Sequence, residues 1–315
     1  MLQLSKHWVW DSWYAFDGVH YHAFYLKAPR SLGDPDQRHW HAVVGHAVSS
    51  DLLTWTEVTD ALVPSASPAF DDLAIWTGSV ICDDAGIWRM YYTGISRAEN
   101  GKVQRIGLCT STNLLEWERI GTTALVGADS RWYEDRAGGS SEDEAWRDPW
   151  VTREADGTWR MLITARANQG PADVRGVVGL ATSPDGLSWT VQKPISAPGF
   201  GFTQLEVNQI AEIDGRRVLI FCCGAREMSA EYQAQGVRTG IFAINLDEAG
   251  AINTRAAYRL TGPELYAGRL VQRQSDRKWV LMAFLNEDLN GEFVGSLSDP
   301  TPVRWNTEGH LELDR

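Results

Sequence analysis

The sequence predicts an all-β chain, a five-bladed β-propeller in a single domain over residues 1–315, and three repeated segments in fixed order carry that reading. One is a short strand, a polar turn and a tryptophan: residues 44–55 (VGHAVSSDLLTW), 106–117 (IGLCTSTNLLEW) and 178–189 (VGLATSPDGLSW), with a more distant copy at 294–305 (VGSLSDPTPVRW). Another is an upstream strand starting at Tyr21, Trp88, Trp159, Arg217 and Trp279, so that five units of 58–71 residues follow one another. Each unit has room for about four short strands, and helical periodicity is nearly absent, which excludes an α/β barrel. The third lies before each of those strands: residues 8–13 (WVWDSW), 75–80 (IWTGSV), 146–151 (WRDPWV), 205–210 (LEVNQI) and 265–270 (LYAGRL).

That third segment takes the innermost position of each blade. Innermost strands line the central channel, so their leading residues converge on one funnel, and polar residues there call for a reason. The units are longer than common propeller repeats, which leaves loops to build a site over one face of a rigid scaffold.

Composition narrows the partners. A net charge of −12 and a pI near 5.0 exclude a nucleic-acid or anionic-membrane partner, either of which attracts a basic face. A neutral or cationic small molecule remains. The four cysteines, Cys82, Cys109, Cys222 and Cys223, have neither metal-ligand nor disulfide-framework spacing and read as reduced core residues. The N-terminus has no apolar run of signal-peptide length and no later stretch approaches a membrane span, so a cytoplasmic protein is expected. Tryptophan is the outlier, with 15 residues. Most suit a β core, but indole rings beside carboxylates also suit the flat C–H faces and outward hydroxyls of a sugar.

Asp11, Asp148 and Glu206 stand at about the same phase of the inner-strand repeat, so three blades bring three carboxylates to the channel mouth. Such groups repel unless one is protonated or a cation intervenes, and Arg147 is the adjacent cation. One raised and one ordinary carboxyl is what glycoside hydrolysis requires: an acid for the leaving oxygen, and a carboxylate that attacks or activates water. Tyr266 and Arg269 lie on the fifth inner strand near the same funnel.

The inner strands also carry a resemblance. WVWDSW at 8–13 is similar to the nucleophile strand of the levansucrase and fructosyltransferase family, glycoside hydrolase family 68. WTGS at 76–79 resembles that family's W-S-G-S segment, and RDP at 147–149 resembles a motif shared with the invertase and inulinase family, glycoside hydrolase family 32. The resemblance implies that Asp11 is the nucleophile, Asp148 binds the fructosyl hydroxyls and Glu206 is the general acid/base. It further implies that Trp10 and Trp76 wall the furanose pocket, that Thr77 or Ser79 bonds Asp11, and that a β-fructofuranoside is processed with retention through a covalent furanosyl-enzyme. Two departures shape the expectation. Glu206 is followed by Val207-Asn208-Gln209 in place of the short arginine-ending motif that grips glucose in the sucrose-using family, which points to a small fructo-oligosaccharide or difuranoside. No residues remain for the C-terminal β-sandwich that invertases carry.

Two other readings stay open at this level. One is an inverting arabinofuranosidase or xylosidase of the related glycoside hydrolase family 43; the other is a propeller that binds sugar without turnover. No cofactor or metal is expected, since the seven histidines show no ligand spacing, and the Glu142-Asp143-Glu144 run reads as a solvated loop. Oligomeric state and the choice between hydrolysis and transfer are not legible.

Overall fold

The structure is a computed structural model that describes residues 1–137 and 141–314. Five antiparallel sheets follow one another along the chain, and the innermost strands are His7–Phe16, Ala74–Cys82, Trp146–Arg153, Glu206–Ile213 and Leu265–Gln272. Each pairs with a second strand, Tyr21–Pro29, Trp88–Ile95, Trp159–Arg166, Arg216–Cys223 and Trp279–Glu287 respectively. Third strands follow at Val43–Ser49, Gln104–Ser111, Gly176–Ser183 and Gly240–Asn245, and short outer strands complete blades 1 to 4. In blade 5 the third position is split between Phe293–Leu297 and Thr301–Trp305, both paired to Trp279–Glu287, with Leu311–Leu313 outermost. The five-bladed reading is therefore correct. The longest α-helix among the described residues is Ala230–Ala234.

The strand–turn–tryptophan repeat has a common physical origin in blades 1 to 3. Asp51, Asn113 and Asp185 each accept two backbone N–H bonds through Oδ1, from Leu53 and Thr54, Leu115 and Glu116, and Leu187 and Ser188, at 2.7–2.9 Å. The tryptophan then turns back, and Trp55, Trp117 and Trp189 donate Nε1–H to the carbonyls of Leu52, Leu114 and Gly186. The leading glycine lets a cross-strand ring lie flat on the sheet: a Cβ on Gly45 would stand 2.4 Å from the Tyr25 ring, and one on Gly107 2.5 Å from Tyr92. The distant copy in blade 5 departs from this, because Trp305 sits inside a strand and donates to Ile213 O of blade 4. Blade 4 has a third strand with no copy of the repeat, and sequence similarity missed it there.

Blade 1 is joined to blade 5 by an antiparallel bridge between Leu2 and Leu297, by Arg30 Nη2 donating to Val294 O and Gly295 O, and by the Tyr21 hydroxyl accepting from Gln274 N. Cys109, Cys222 and Cys223 are buried free thiols; Cys82 is exposed, contrary to the core position expected of it, because it ends its strand at a turn.

Every inner strand carries a β-bulge at one height, where two residues oppose one on the second strand. Trp10, Trp76, Arg147, Glu206 and Tyr266 stand just before it, opposite Leu26, Thr93, Thr164, Cys222 and Phe284. Asp11, Thr77, Asp148, Val207 and Ala267 occupy the bulge itself, the last three at φ of 56°, 55° and 48°. Holding non-glycine residues there costs on the order of 1 kcal/mol each or more, which strands locked on both sides can sustain. Next to it, Gly78 runs so close to the second strand that a Cβ would fall 2.3 Å from Tyr91 O. Gly78→Ala is expected to destabilise the fold by about 3 kcal/mol; an unchanged urea midpoint would contradict the close approach.

Candidate active site

The bulges decide what reaches the channel mouth. Glu206 is one residue out of step with Asp11 and Asp148: it shares the position of Arg147 and Tyr266, a correction to the common phase read from sequence. It joins them all the same, since a bulge interrupts strict alternation and turns both its first residue and the one before toward the channel. All three carboxylates line a single cleft of about 770 Å³, together with Trp10, Trp76, Thr77, Arg147 and Tyr266.

Asp11 accepts a short hydrogen bond from Thr77 Oγ1. Burial pushes its pKa up to about 7, Asp148 and then Glu206 add to the rise by repulsion, and the Thr77 bond opposes it. Asp148 is buried with Oδ2 2.9 Å from Thr164 Oγ1 and 3.2 Å from Val207 N. Burial raises its pKa against the pull of Arg147. Threonines stitch the bulges together: Asp148 N donates to Thr93 Oγ1 at 3.0 Å, and Thr93 Oγ1 donates to Thr77 O at 2.9 Å.

Arg147 is the hub. Its Nη2 lies 2.5 Å from Glu206 Oε1 and 2.5 Å from Gln204 Oε1, its Nη1 donates to Gln104 Oε1 at 3.2 Å, and its Nε stands 3.6 Å from Asp148 Oδ2. Burial works against its charge, but Glu206 and Asp148 outweigh that and hold the guanidinium ionised. Tyr266 donates its hydroxyl to Glu206 Oε2.

Two expected contacts fall elsewhere. Ser79 is outside the cleft lining, and its Oγ accepts from Val151 N at 3.2 Å, tying blade 2 to blade 3; Thr77 alone bonds Asp11, because the bulge breaks the parity that would have put both on one face. Arg269 lies past its own bulge, 1% exposed, donating Nη1 to Val207 O and Asn208 O with its guanidinium 4.8 Å from the Trp150 ring centre. It packs the channel and is absent from the cleft lining.

Loop residues that sequence reasoning missed complete the wall. Arg38 and His39 come from the 3-10 turn Pro35–His41. Arg38 lies over the Phe293 ring at 4.1 Å, and Trp76 is fixed by its Nε1–H bond to His39 O at 2.8 Å. Burial, with Arg38 and Arg147 nearby, lowers the His39 pKa to about 3 and keeps the ring neutral. Glu227, at the end of the turn after the second strand of blade 4, is a fourth carboxyl beside Glu206 and Arg147. Of the Glu142-Asp143-Glu144 run, Glu142 pairs with Lys102 at 2.7 Å and Asp143 reaches the cleft rim. No group of three or more His, Cys, Asp and Glu is arranged to hold a metal among the described residues, and no helix among them is long and apolar enough to cross a membrane.

Fold and site define a five-bladed propeller whose inner strands converge carboxyls and one guanidinium on a cleft at the channel mouth. The chain belongs to glycosyl hydrolases family 32: the model of that family's N-terminal domain matches residues 8–299. It is 29% identical over 204 residues to the β-fructofuranosidase insoluble isoenzyme 2 of Oryza sativa subsp. indica, a match covering 62% of this chain and 31% of that protein. It is 30% identical over 195 residues to a fructan 6-exohydrolase of Beta vulgaris, covering 59% and 29%. The matched region thus spans about a third of the length of these curated relatives. Among solved structures, an inulosucrase from Halalkalicoccus jeotgali bound to kestose superposes with a TM-score of 0.76 at 18% identity, covering 99% of this chain and 90% of that one.

Proposed function

We propose that this chain cleaves the β-fructofuranosyl bond of small, uncharged fructosides with retention of configuration, passing the fructosyl group to water or to a second sugar. The observation that carries the reading is the convergence of Asp11, Asp148 and Glu206 on one cleft in a chain of family 32. Asp11 attacks the anomeric carbon as Glu206 protonates the departing oxygen, and Asp148 accepts hydrogen bonds from ring hydroxyls that tighten as positive charge develops. Trp10 and Trp76 supply the apolar wall against which a furanose ring packs. The names borne by the relatives, β-fructofuranosidase and fructan exohydrolase, and the kestose held by the inulosucrase favour a fructoside over a pentoside.

The test is a substrate panel of kestose, inulobiose, sucrose and nitrophenyl pentosides, with the first-formed sugar examined by NMR before mutarotation. Release of β-fructofuranose, or transfer that preserves the β linkage, is the expected result. Release of the α anomer would require Asp11 to activate water, and turnover of pentosides alone would overturn the substrate class.

A further inference from the structure

The bulge of blade 4 lacks the tie that holds its counterpart in blade 2. There Thr93, opposite the residue before the bulge, donates its hydroxyl at 2.9 Å to Thr77 O, the carbonyl of the bulge residue. The same position in blade 4 is Cys222, opposite Glu206. A thiol is a weak donor, and Val207 O, the carbonyl corresponding to Thr77 O, is taken instead by an arginine of the next blade. Arg269 Nη1 donates to it at 3.0 Å and to Asn208 O at 2.9 Å. Val207 calls for such a hold, because it is β-branched and stands at φ 55°, a region β-branched residues seldom occupy.

The hold reaches the site. Val207 N donates to Asp148 Oδ2 at 3.2 Å and to Thr164 Oγ1 at 3.2 Å. One residue therefore turns its N–H to the acid of blade 3 and its carbonyl to the arginine of blade 5, and its left-handed conformation sets the angle between them. Arg269 is 1% exposed, and among the described residues its Nε and Nη2 have no acceptor, so the two carbonyls are all that its side chain bonds. Burying a guanidinium for so little is costly, and an apolar side chain would fill the space against the Trp150 ring with less penalty. The seam between blades 4 and 5 is tied without it: Gln209 donates Nε2–H to Leu270 O at 2.8 Å and accepts from Leu270 N at 2.7 Å.

Resting on the function proposed above, we propose that Arg269 is a positioning residue for Asp148: by clamping Val207 O and Asn208 O it keeps the Val207 N–H on Asp148 Oδ2, so that the carboxylate stays aimed at the hydroxyls of the fructosyl ring. Arg269 itself stands outside the cleft lining. Without the clamp Val207 relaxes from the left-handed region, its N–H leaves Oδ2, and that oxygen keeps only the Thr164 hydroxyl.

The experiment compares wild type, Arg269→Met, Arg269→Lys, Asp148→Ala and the double variant Asp148→Ala with Arg269→Met, all on kestose. Arg269→Met is expected to lose about 100-fold in kcat with KM within about twofold of wild type, as misplacing a group that tightens only in the transition state does. Arg269→Lys, which keeps a donor for the carbonyls, recovers about tenfold of that loss. Added to Asp148→Ala, Arg269→Met costs less than about threefold, because the group it positions is already gone. A kcat unchanged in Arg269→Met, or a loss on top of Asp148→Ala as large as in wild type, overturns the proposal. The hydrogen bond is followed in the ligand-free protein carrying isotopically labelled valine, where the Val207 amide is identified by its absence in Val207→Ile. Its exchange with deuterium is expected to be about 10-fold faster in Arg269→Met than in wild type, while Val218 and Val280 in the second strands keep their rates. An unchanged Val207 rate, or a rise shared by Val218 and Val280, refutes the clamp, and Arg269→Lys supplies the comparison should the methionine variant not fold. Wild type inert toward every fructoside would sink the functional reading instead and leave the exchange rates to decide the clamp.

Discussion

Asp11→Asn is expected to lower kcat by about 10⁴-fold, the loss that follows if the function proposed above makes Asp11 the nucleophile, and at the same time to make the protein more stable above neutral pH. The two effects share one cause. Asp11 is placed where its charge is disfavoured, by burial and by Asp148 and Glu206, and its folded pKa of about 7 lies above the unfolded value of 3.8. The folded state therefore binds the Asp11 proton more tightly than the unfolded state does. Below about pH 4 both states are protonated and Asp11 has no effect; as pH rises toward 7 the unfolded chain ionises first and stability falls; above 7 the full penalty remains. Asparagine carries no charge and escapes it, so the variant gains about 1–3 kcal/mol at pH 8 and nearly nothing at pH 4. Urea denaturation at the two pH values measures this, and a gain equal at both would show that the charge is not its source. In the function proposed above the attacking Asp11 carboxylate must be ionised, so the acid limb of wild-type kcat/KM is expected near pH 7.

Arg147→Met is expected to have the opposite effect on stability. Arg147 is buried and shared between Glu206 and Asp148, and removing it leaves two carboxyls beside each other without a counter-charge. Breaking such a pair from one side costs about 3–5 kcal/mol. Arg147→Lys restores the charge but not the fork that reaches Glu206, Gln204 and Gln104 together, and recovers only part. The deficit of the methionine variant should shrink as pH falls from 8 to 5, because in its folded state the unpaired carboxyls take up protons at higher pH than in the unfolded chain. A deficit independent of pH would mean that lost packing, not unpaired charge, is responsible.

Residues 8–13, 75–80, 146–151, 205–210 and 265–270 were readable as channel-lining strands because each blade buries the same face in the same way, and equal burial selects similar residues at equal spacing. The turns legible as S-x-D or S-x-N followed by tryptophan are local hydrogen-bond units that need no tertiary context, and they mark three blades directly. The third strand of blade 4 has no such turn and escaped detection, although Gly240–Asn245 pairs normally. Thr77, Tyr266, Arg147 and the three acids were visible as polar residues on otherwise apolar inner strands.

Sequence alone thus determined the number of blades, the strand that lines the channel and the polar residues carried by those strands, since these follow from periodic burial and from short-range hydrogen bonding. Only the tertiary structure decided which of them open to the cleft. The bulges shift Glu206 by one residue yet keep it in the cluster, and send Ser79 and Arg269 into blade-to-blade packing. It also decided that Arg38, His39 and Glu227 stand in the wall, because they lie on turns whose course is set by how neighbouring blades meet, a long-range packing outcome with no local signature.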